Sequence, residues 1–179
     1  KMMELQLRES ERKYHSLFEN AILGIFRSTP AGRYLDMNPA FAHIAGFDSP
    51  EEMKTLVSDI GRELYIRPQD RQTIGDLLTR TGEIRGFETE IRHRTGESRW
   101  ISMNVRAAHD EKGVIAWYEG TIEDITPRKR AETDLARKND ELLSAYEQLA
   151  SSEEELKTQL EEIYAAHEEI EREERRYRQ

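Results

Sequence analysis

No cysteine occurs among the 179 residues. Disulfides, thiolate metal sites and thiol catalysis are excluded together, and the absence suits a reducing compartment. No stretch approaches the roughly 18 consecutive apolar residues of a membrane helix, and no secretory leader pattern is legible. The expected location is therefore cytoplasmic, with no direct membrane contact. Clustered positive charge is lacking too. Residues 1–130 hold 20 Lys and Arg against 21 Asp and Glu, and residues 131–179 hold 7 against 15. Almost all of the net charge of −9 thus belongs to the C-terminal stretch. Nucleic acid, whose phosphates need grouped Lys and Arg, is not an expected partner. The last absence is positional. All ten Gly and all five Pro lie at or before Pro127, so a turn-rich half precedes one long uninterrupted helix candidate.

Within the first half, residues 1–19 have helical character, with Leu7, Tyr14, Leu17 and Phe18 near one face. "ILGIFRS" and "RYLDMN" read as two strands joined at "TPAGR", where Pro and Gly supply the turn. In "NPAFAHIAGF", Asn38 caps a helix and Pro39 suits its first turn. "SPEEMKTL" repeats this logic, with Ser49 as cap and Glu52 placed for a capping box. "RPQDRQTIGDLLTRTG" is a longer helix ending near Gly82. Three strands follow: "EIRGFETEIRHR", "RWISMNVRA" and "VIAWYEGTIEDI", separated by "TGES" and "HDEKG". The order is two strands, several short helices, then three strands, able to close into one antiparallel sheet. At the exit, the Thr126 hydroxyl is placed to cap the next helix and Pro127 fits its first turn.

Four stretches, "GRYLDMNPAF", "RPQDR", "HRTGESRWI" and "GTIEDITPRKRAE", stand in the order found in PAS domains, the last carrying the family's Asp-Ile-Thr ending at Asp124-Ile125-Thr126. The chain resembles a PAS domain followed by a signalling helix, as in multi-PAS sensor histidine kinases. The resemblance implies an α+β fold: a five-stranded antiparallel sheet with short helices on one face, an N-terminal cap helix (1–19), a PAS core (20–126) and a C-terminal helix (127–179). It also implies a sensor or relay module, itself not an enzyme, beside other PAS or kinase domains. Asp124, Ile125, Thr126 and Pro127 would couple core to output. The rival reading is a constitutive dimerisation scaffold with no ligand.

The chemistry expected of the core is modest. In flavin-binding LOV relatives, polar residues on the strands hold the ring and a Cys forms the photoadduct. The matching positions here are Ile91, Ile101 and Ile122, and the Cys is missing. Haem-binding relatives can use a His on the long helix, and residues 69–81 contain none. Neither cofactor is expected. The five His lack metal-site spacing, and no metal is expected. His167, in "AAHEEIE", lacks the Arg-Thr-Pro that would follow a phospho-acceptor and reads as a solvated or seam residue. Inward candidates are Phe26, Leu35, Met37, Phe41, Ile44, Leu77, Phe87, Ile91, Ile101, Met103, Tyr118 and Ile122. A cavity among them would suit a small, largely apolar ligand, with Tyr118 or Thr89 giving a polar contact. Trp100 and Trp117 fall on the opposite face, to be covered by Leu17 and Phe18 or by a partner subunit.

In the last segment, Leu135, Leu142, Leu149, Leu156, Ile163, Ile170 and Tyr177 recur every seven residues. This column argues for a parallel coiled-coil homodimer. The second seam is mixed and poorly packed in either register, with Asn139, Tyr146, Glu153, Leu160, His167 and Glu174 or with Lys138, Ala145, Ser152, Gln159, Ala166 and Glu173. Such a seam leaves more than one register accessible. Glu174-Arg175-Arg176-Tyr177 resembles Glu11-Arg12-Lys13-Tyr14, so the end of the helix reads as the start of a second PAS domain.

Overall fold

The computed structural model describes residues 2–177, with side chains described at 6–173, 175 and 176. Helix α1 (Met2–Glu19) leads into strands β1 (Gly24–Ser28) and β2 (Tyr34–Met37). Four short helices follow: α2 (Pro39–Ala45), α3 (Pro50–Leu56), α4 (Ile60–Glu63) and α5 (Pro68–Thr81). Then come β3 (Glu83–Arg92), β4 (Ser98–His109), β5 (Ile115–Asp124) and α6 (Thr126–Tyr177). The five strands form one antiparallel sheet in the order β2-β1-β5-β4-β3. The N-terminal hairpin is thus added beside the last strand, which places β5 at the centre. Residues 1–129 and 130–179 are two separate compact units.

The helices begin where short polar side chains can accept the first unpaired N–H groups. Asn38 accepts from the Phe41 N–H, and Ser49 from the Glu52 N–H. The Glu52 carboxylate bonds the Asp48 N–H at 2.8 Å, one residue upstream of a standard capping box. Asp59 caps α4 through the Gly61 and Arg62 N–H groups. Helix α5 ends at Gly82, whose φ of 77° is left-handed and costs glycine no Cβ clash. Gly120 is required for a different reason. A Cβ there would collide with the Asn104 carbonyl oxygen and stand 2.9 Å from the Val105 Cα, so β5 approaches β4 too closely for any side chain.

Helices α2 to α5 cover one face of the sheet and enclose an apolar core. Phe26, Met37, Phe41, Ile91, Ile101, Met103, Tyr118 and Ile122 are buried in it, and Ile44 and Phe87 pack at its edge. Leu77 is half-buried. Leu35 departs from expectation: it is 49% exposed. The register shows why. Arg27 pairs with Asp36, but Ser28 pairs with Tyr34, so Leu35 is the extra residue of a β-bulge. The bulge breaks the alternation of β2 and turns Tyr34, not Leu35, toward the core.

Candidate functional site

Three features of the first unit bear on function. The first is a niche inside the core. A void of about 10 Å³, room for about one water, is enclosed among Phe26, Ser28, Tyr34, Phe41, Ile60, Leu64, Tyr65, Arg71, Ile101, Met103 and Ile122. Phe26, Phe41, Ile101, Met103 and Ile122 of the expected lining meet here. Met37, Ile44, Leu77, Phe87 and Ile91 lie elsewhere in or around the core, and the Tyr118 ring lies under the Arg71 guanidinium, 5.2 Å from its centroid. Thr89 is fully buried, but its hydroxyl donates to Asp70 at 2.5 Å and so pins α5 to β3.

The polar part of the lining was not among the expected residues. Ser28 comes from the end of β1, Tyr34 from β2, Tyr65 from the segment after α4, and Arg71 from the inward side of α5. Sequence spacing does carry a signal for Arg71: it stands three and seven residues before the buried Ile74 and Leu78, on the same helical stripe. Burial raises the Tyr34 phenol well above its usual range, with the neighbouring Tyr65 adding to the effect. Burial also pushes Tyr65 up to about 12, against the opposing pull of Arg71. Both phenols are therefore neutral at ordinary pH, and the Tyr65 hydroxyl donates to the Met103 sulfur at 3.9 Å. The Ser28 hydroxyl is buried without a hydrogen-bond partner.

The second feature is the exit joint. The Asp124 carboxylate accepts from Arg99 at 2.8 Å and from the Thr126 N–H at 2.9 Å. The Ile125 N–H donates to the Trp100 carbonyl, and the Ile125 carbonyl accepts the first turn's bond from the Lys129 N–H. The Thr126 hydroxyl does not cap α6, contrary to expectation. It accepts from the Trp100 N–H at 2.9 Å, which fastens the helix start to β4, and Asp124 takes the capping duty. Pro127 follows in the first turn, where its missing N–H leaves nothing unpaired. Glu88 on β3 binds both Arg128 and Lys129 at 2.6 Å, and these hydrogen bonds hold its carboxyl below the usual range. Lys129 and Arg67 lie 5.1 and 6.0 Å from the Trp100 ring centroid. Trp100 is thus flanked by cations, which its ring face attracts. Trp117 donates its ring N–H to Glu119.

Burial raises the Asp124 pKa, and the hydrogen bonds from Thr126 and Arg99 outweigh it, leaving a net depression. A carboxylate with a depressed folded pKa stabilises the fold fully above the ordinary aspartate range, and that contribution disappears as pH falls through the lower folded value. Asp124→Asn keeps one acceptor but loses the charged pair. With 22% of the Asp124 side chain exposed, solvent screens part of the pairing. The expected loss at pH 7 is about 1–2 kcal/mol, or roughly 3–6 °C in Tm. The gap between variant and wild type should narrow when melting is repeated near pH 3. A gap that is unchanged at that pH removes the role assigned to the carboxylate.

The third feature is a groove of about 690 Å³ on the other face of the sheet, lined by Tyr14 and Phe18 of α1 with Ile25, Arg27, Ile84, Arg106, Glu119 and Thr121 among the strand residues. Phe18 takes part in it as a partly buried side chain, and Leu17 is 74% exposed. The end of α1 is held by Asn38, whose side-chain amide donates to the Phe18 and Leu23 carbonyls at 3.0 Å each.

In the second unit, α6 runs without interruption to Tyr177. Leu135, Leu142, Leu149, Leu156, Ile163 and Ile170 are each more than half exposed, an apolar column with no cover. The side chains of Glu174 and Tyr177, and all of Gln179, lie outside the described residues, so the seam's last member and the proposed likeness to Tyr14 do too. His167 is exposed beside Glu171 at 3.5 Å.

A family profile described as PAS domain matches residues 20–127. The chain is 28% identical over 142 residues to the sensor histidine kinase TmoS of Ectopseudomonas mendocina, covering 78% of this chain and 14% of that protein. It is 26% identical over 145 residues to sporulation kinase C of Bacillus subtilis (strain 168), covering 76% and 33%. The chain therefore spans only a minor part of either kinase. Among solved structures, the PAS domain of an HTR-like protein from Haloarcula marismortui superposes with a TM-score of 0.55 at 21% identity, covering 69% of this chain and 98% of that one.

Proposed function

The chain belongs to the PAS domain family, and from that premise we propose that it dimerises through α6 and relays a state of its core along that helix to an output module downstream. The observation that carries the reading is the exit joint. The central strand β5 passes into α6 with no linker, and Asp124, Ile125 and Thr126 are each hydrogen-bonded at the junction with β4. A shift of β5 must therefore act on the first turn of the helix. The PAS module is similar to those of histidine kinases, which supports a kinase as the parent and a two-component system as the setting. The family resemblance and the absence of a membrane-crossing helix among the described residues are compatible with action in the cytoplasm. The apolar Ile91, Ile101 and Ile122 and the helix without His support a core that takes neither LOV-type flavin nor haem.

The exposed column on α6 supports a second copy as its partner. A strict seven-residue repeat lets two like helices supercoil with their seams in register, and parallel alignment keeps equivalent residues opposed. Sedimentation equilibrium of the 179-residue chain at tens of micromolar is expected to give a dimer, and a chain ending at Lys129 should associate at least tenfold more weakly. A monomeric intact chain at those concentrations defeats the proposal. The polar seam makes incomplete helicity of an isolated tail compatible with it.

A further inference from the structure

The niche in the core has a chemistry different from the apolar pocket its strands suggest. Arg71 reaches it from α5. The guanidinium donates to the Thr29 carbonyl at 3.1 Å and stacks over Tyr118. Among the described residues, no carboxylate stands within ion-pair distance of Arg71. The nearby acid, Asp70, is engaged by Thr89 and Arg67. A half-buried cation without a counter-charge bears a desolvation cost that an anion would relieve. Ser28, with 1% exposure, adds an independent sign: its buried hydroxyl faces the same void and has no partner. Buried polar groups are seldom left this way unless something else satisfies them. Tyr34 supplies another neutral hydroxyl and Tyr65 a third, whose proton rests on the Met103 sulfur at 3.9 Å, a weak acceptor that an anion would displace.

We propose that this niche binds a small planar oxyanion, a short carboxylate or nitrate, with Arg71 as counter-charge and the hydroxyls of Ser28, Tyr34 and Tyr65 as donors. A guanidinium fork matches two oxygens of such an anion, and neutral hydroxyls can only donate to it. The void holds about one water as it stands, so seating an anion displaces the lining. Ser28 pairs with Tyr118 across β1 and β5, and β5 is the strand that runs into the exit joint. The inference rests on the sensor reading only for its consequence. Binding is a property of the first unit and is measured without any output.

The test is thermal melting and calorimetric titration of the 179-residue chain with formate, acetate and nitrate, beside the neutral isosteres formamide and acetamide. At about 100 times its dissociation constant, a site-binding anion should raise Tm by roughly 5–10 °C. Arg71→Gln should abolish the shift, Arg71→Lys should weaken it at least tenfold, and Ser28→Ala should weaken it several-fold. If no anion shifts Tm at up to tens of millimolar, the proposal fails. It also fails if formamide or acetamide does as well as its charged counterpart, or if the shift survives in Arg71→Gln. Should Arg71→Gln not fold, Arg71→Lys and Ser28→Ala decide between a site effect and a general salt effect. The dimer measurement is unaffected by either result, so failure of the ligand and failure of the relay are separable.

Discussion

Inserting one residue after Arg130 in an active full-length sensor carrying this module abolishes its regulated output or locks it, and inserting seven largely restores regulation. The first turn of α6 is held by Thr126 to Trp100, by Asp124 to the Thr126 N–H, and by Glu88 to Arg128 and Lys129. The helix start cannot rotate freely against the sheet without breaking several of these at once. Beyond it, α6 contains neither Gly nor Pro after Pro127 and remains helical to Tyr177. One added residue turns everything downstream by about 100° and lengthens the helix by about 1.5 Å. Seven add nearly two full turns, about 20° short, and preserve the seven-residue column. Four residues would lie between, near a full turn but out of step with the column. Regulated output in a series of one to eight insertions should therefore rise and fall with helical phase, by tenfold or more between one and seven. A rod that only holds two subunits together would tolerate one residue about as well as seven wherever its polar seam can slip. A flat series excludes the relay and leaves the scaffold reading in place.

Much of this architecture is legible in local chemistry. Asn38-Pro39, Ser49-Pro50 and Gly82 mark helix ends because the physics of caps is short-range. Strand order is readable through the family resemblance carried by motifs such as Asp124-Ile125-Thr126. What could not be read depends on events a pattern does not encode. Alternation places Leu35 inside, but one bulged residue exchanges it for Tyr34. Tyr65 sits in an irregular segment whose approach to β3, through the Tyr65–Ile91 bridge, is a tertiary contact. Arg71 was legible as a position on the α5 stripe but not as a half-buried cation facing the core, because charged residues at such positions usually reach solvent. Thr126 has the right type and place for a helix cap, yet the nearby β4 backbone competes for its hydroxyl and wins. Tyr65, Arg71 and Thr126 are polar or aromatic groups whose partners are distant in sequence, and Tyr34, Tyr65 and Arg71 meet at the niche.

Asn38→Ala is expected to cost about 3–5 kcal/mol, several times the loss usual for an N-cap. The side chain is fully buried and makes four hydrogen bonds. Its carbonyl oxygen accepts from the Phe41 N–H at 3.0 Å and the Ile25 N–H at 2.8 Å, and its amide donates to the Phe18 and Leu23 carbonyls. Two acceptors' needs and two donors' needs meet in one amide, which also fixes its orientation. Alanine leaves all four backbone groups without that partner, in a site where water is largely excluded. For a core of this size the loss corresponds to roughly 10–20 °C in Tm. Asn38→Asp separates the two halves of the role. It retains the acceptors for Phe41 and Ile25 and so keeps the cap, but it faces the Phe18 and Leu23 carbonyls with a carboxylate oxygen instead of a donor. The end of α1 should then detach while α2 persists. Hydrogen exchange in residues 18–24 should accelerate at least tenfold in Asn38→Asp, with smaller change at 41–45. If Asn38→Ala costs only about 1 kcal/mol, or Asn38→Asp leaves exchange at 18–24 unaltered, Asn38 is an ordinary helix cap and α1 is held to the core by other means. A large loss with selective release of α1 instead makes this one buried amide the mechanical link between the incoming helix and the first strand of the sheet.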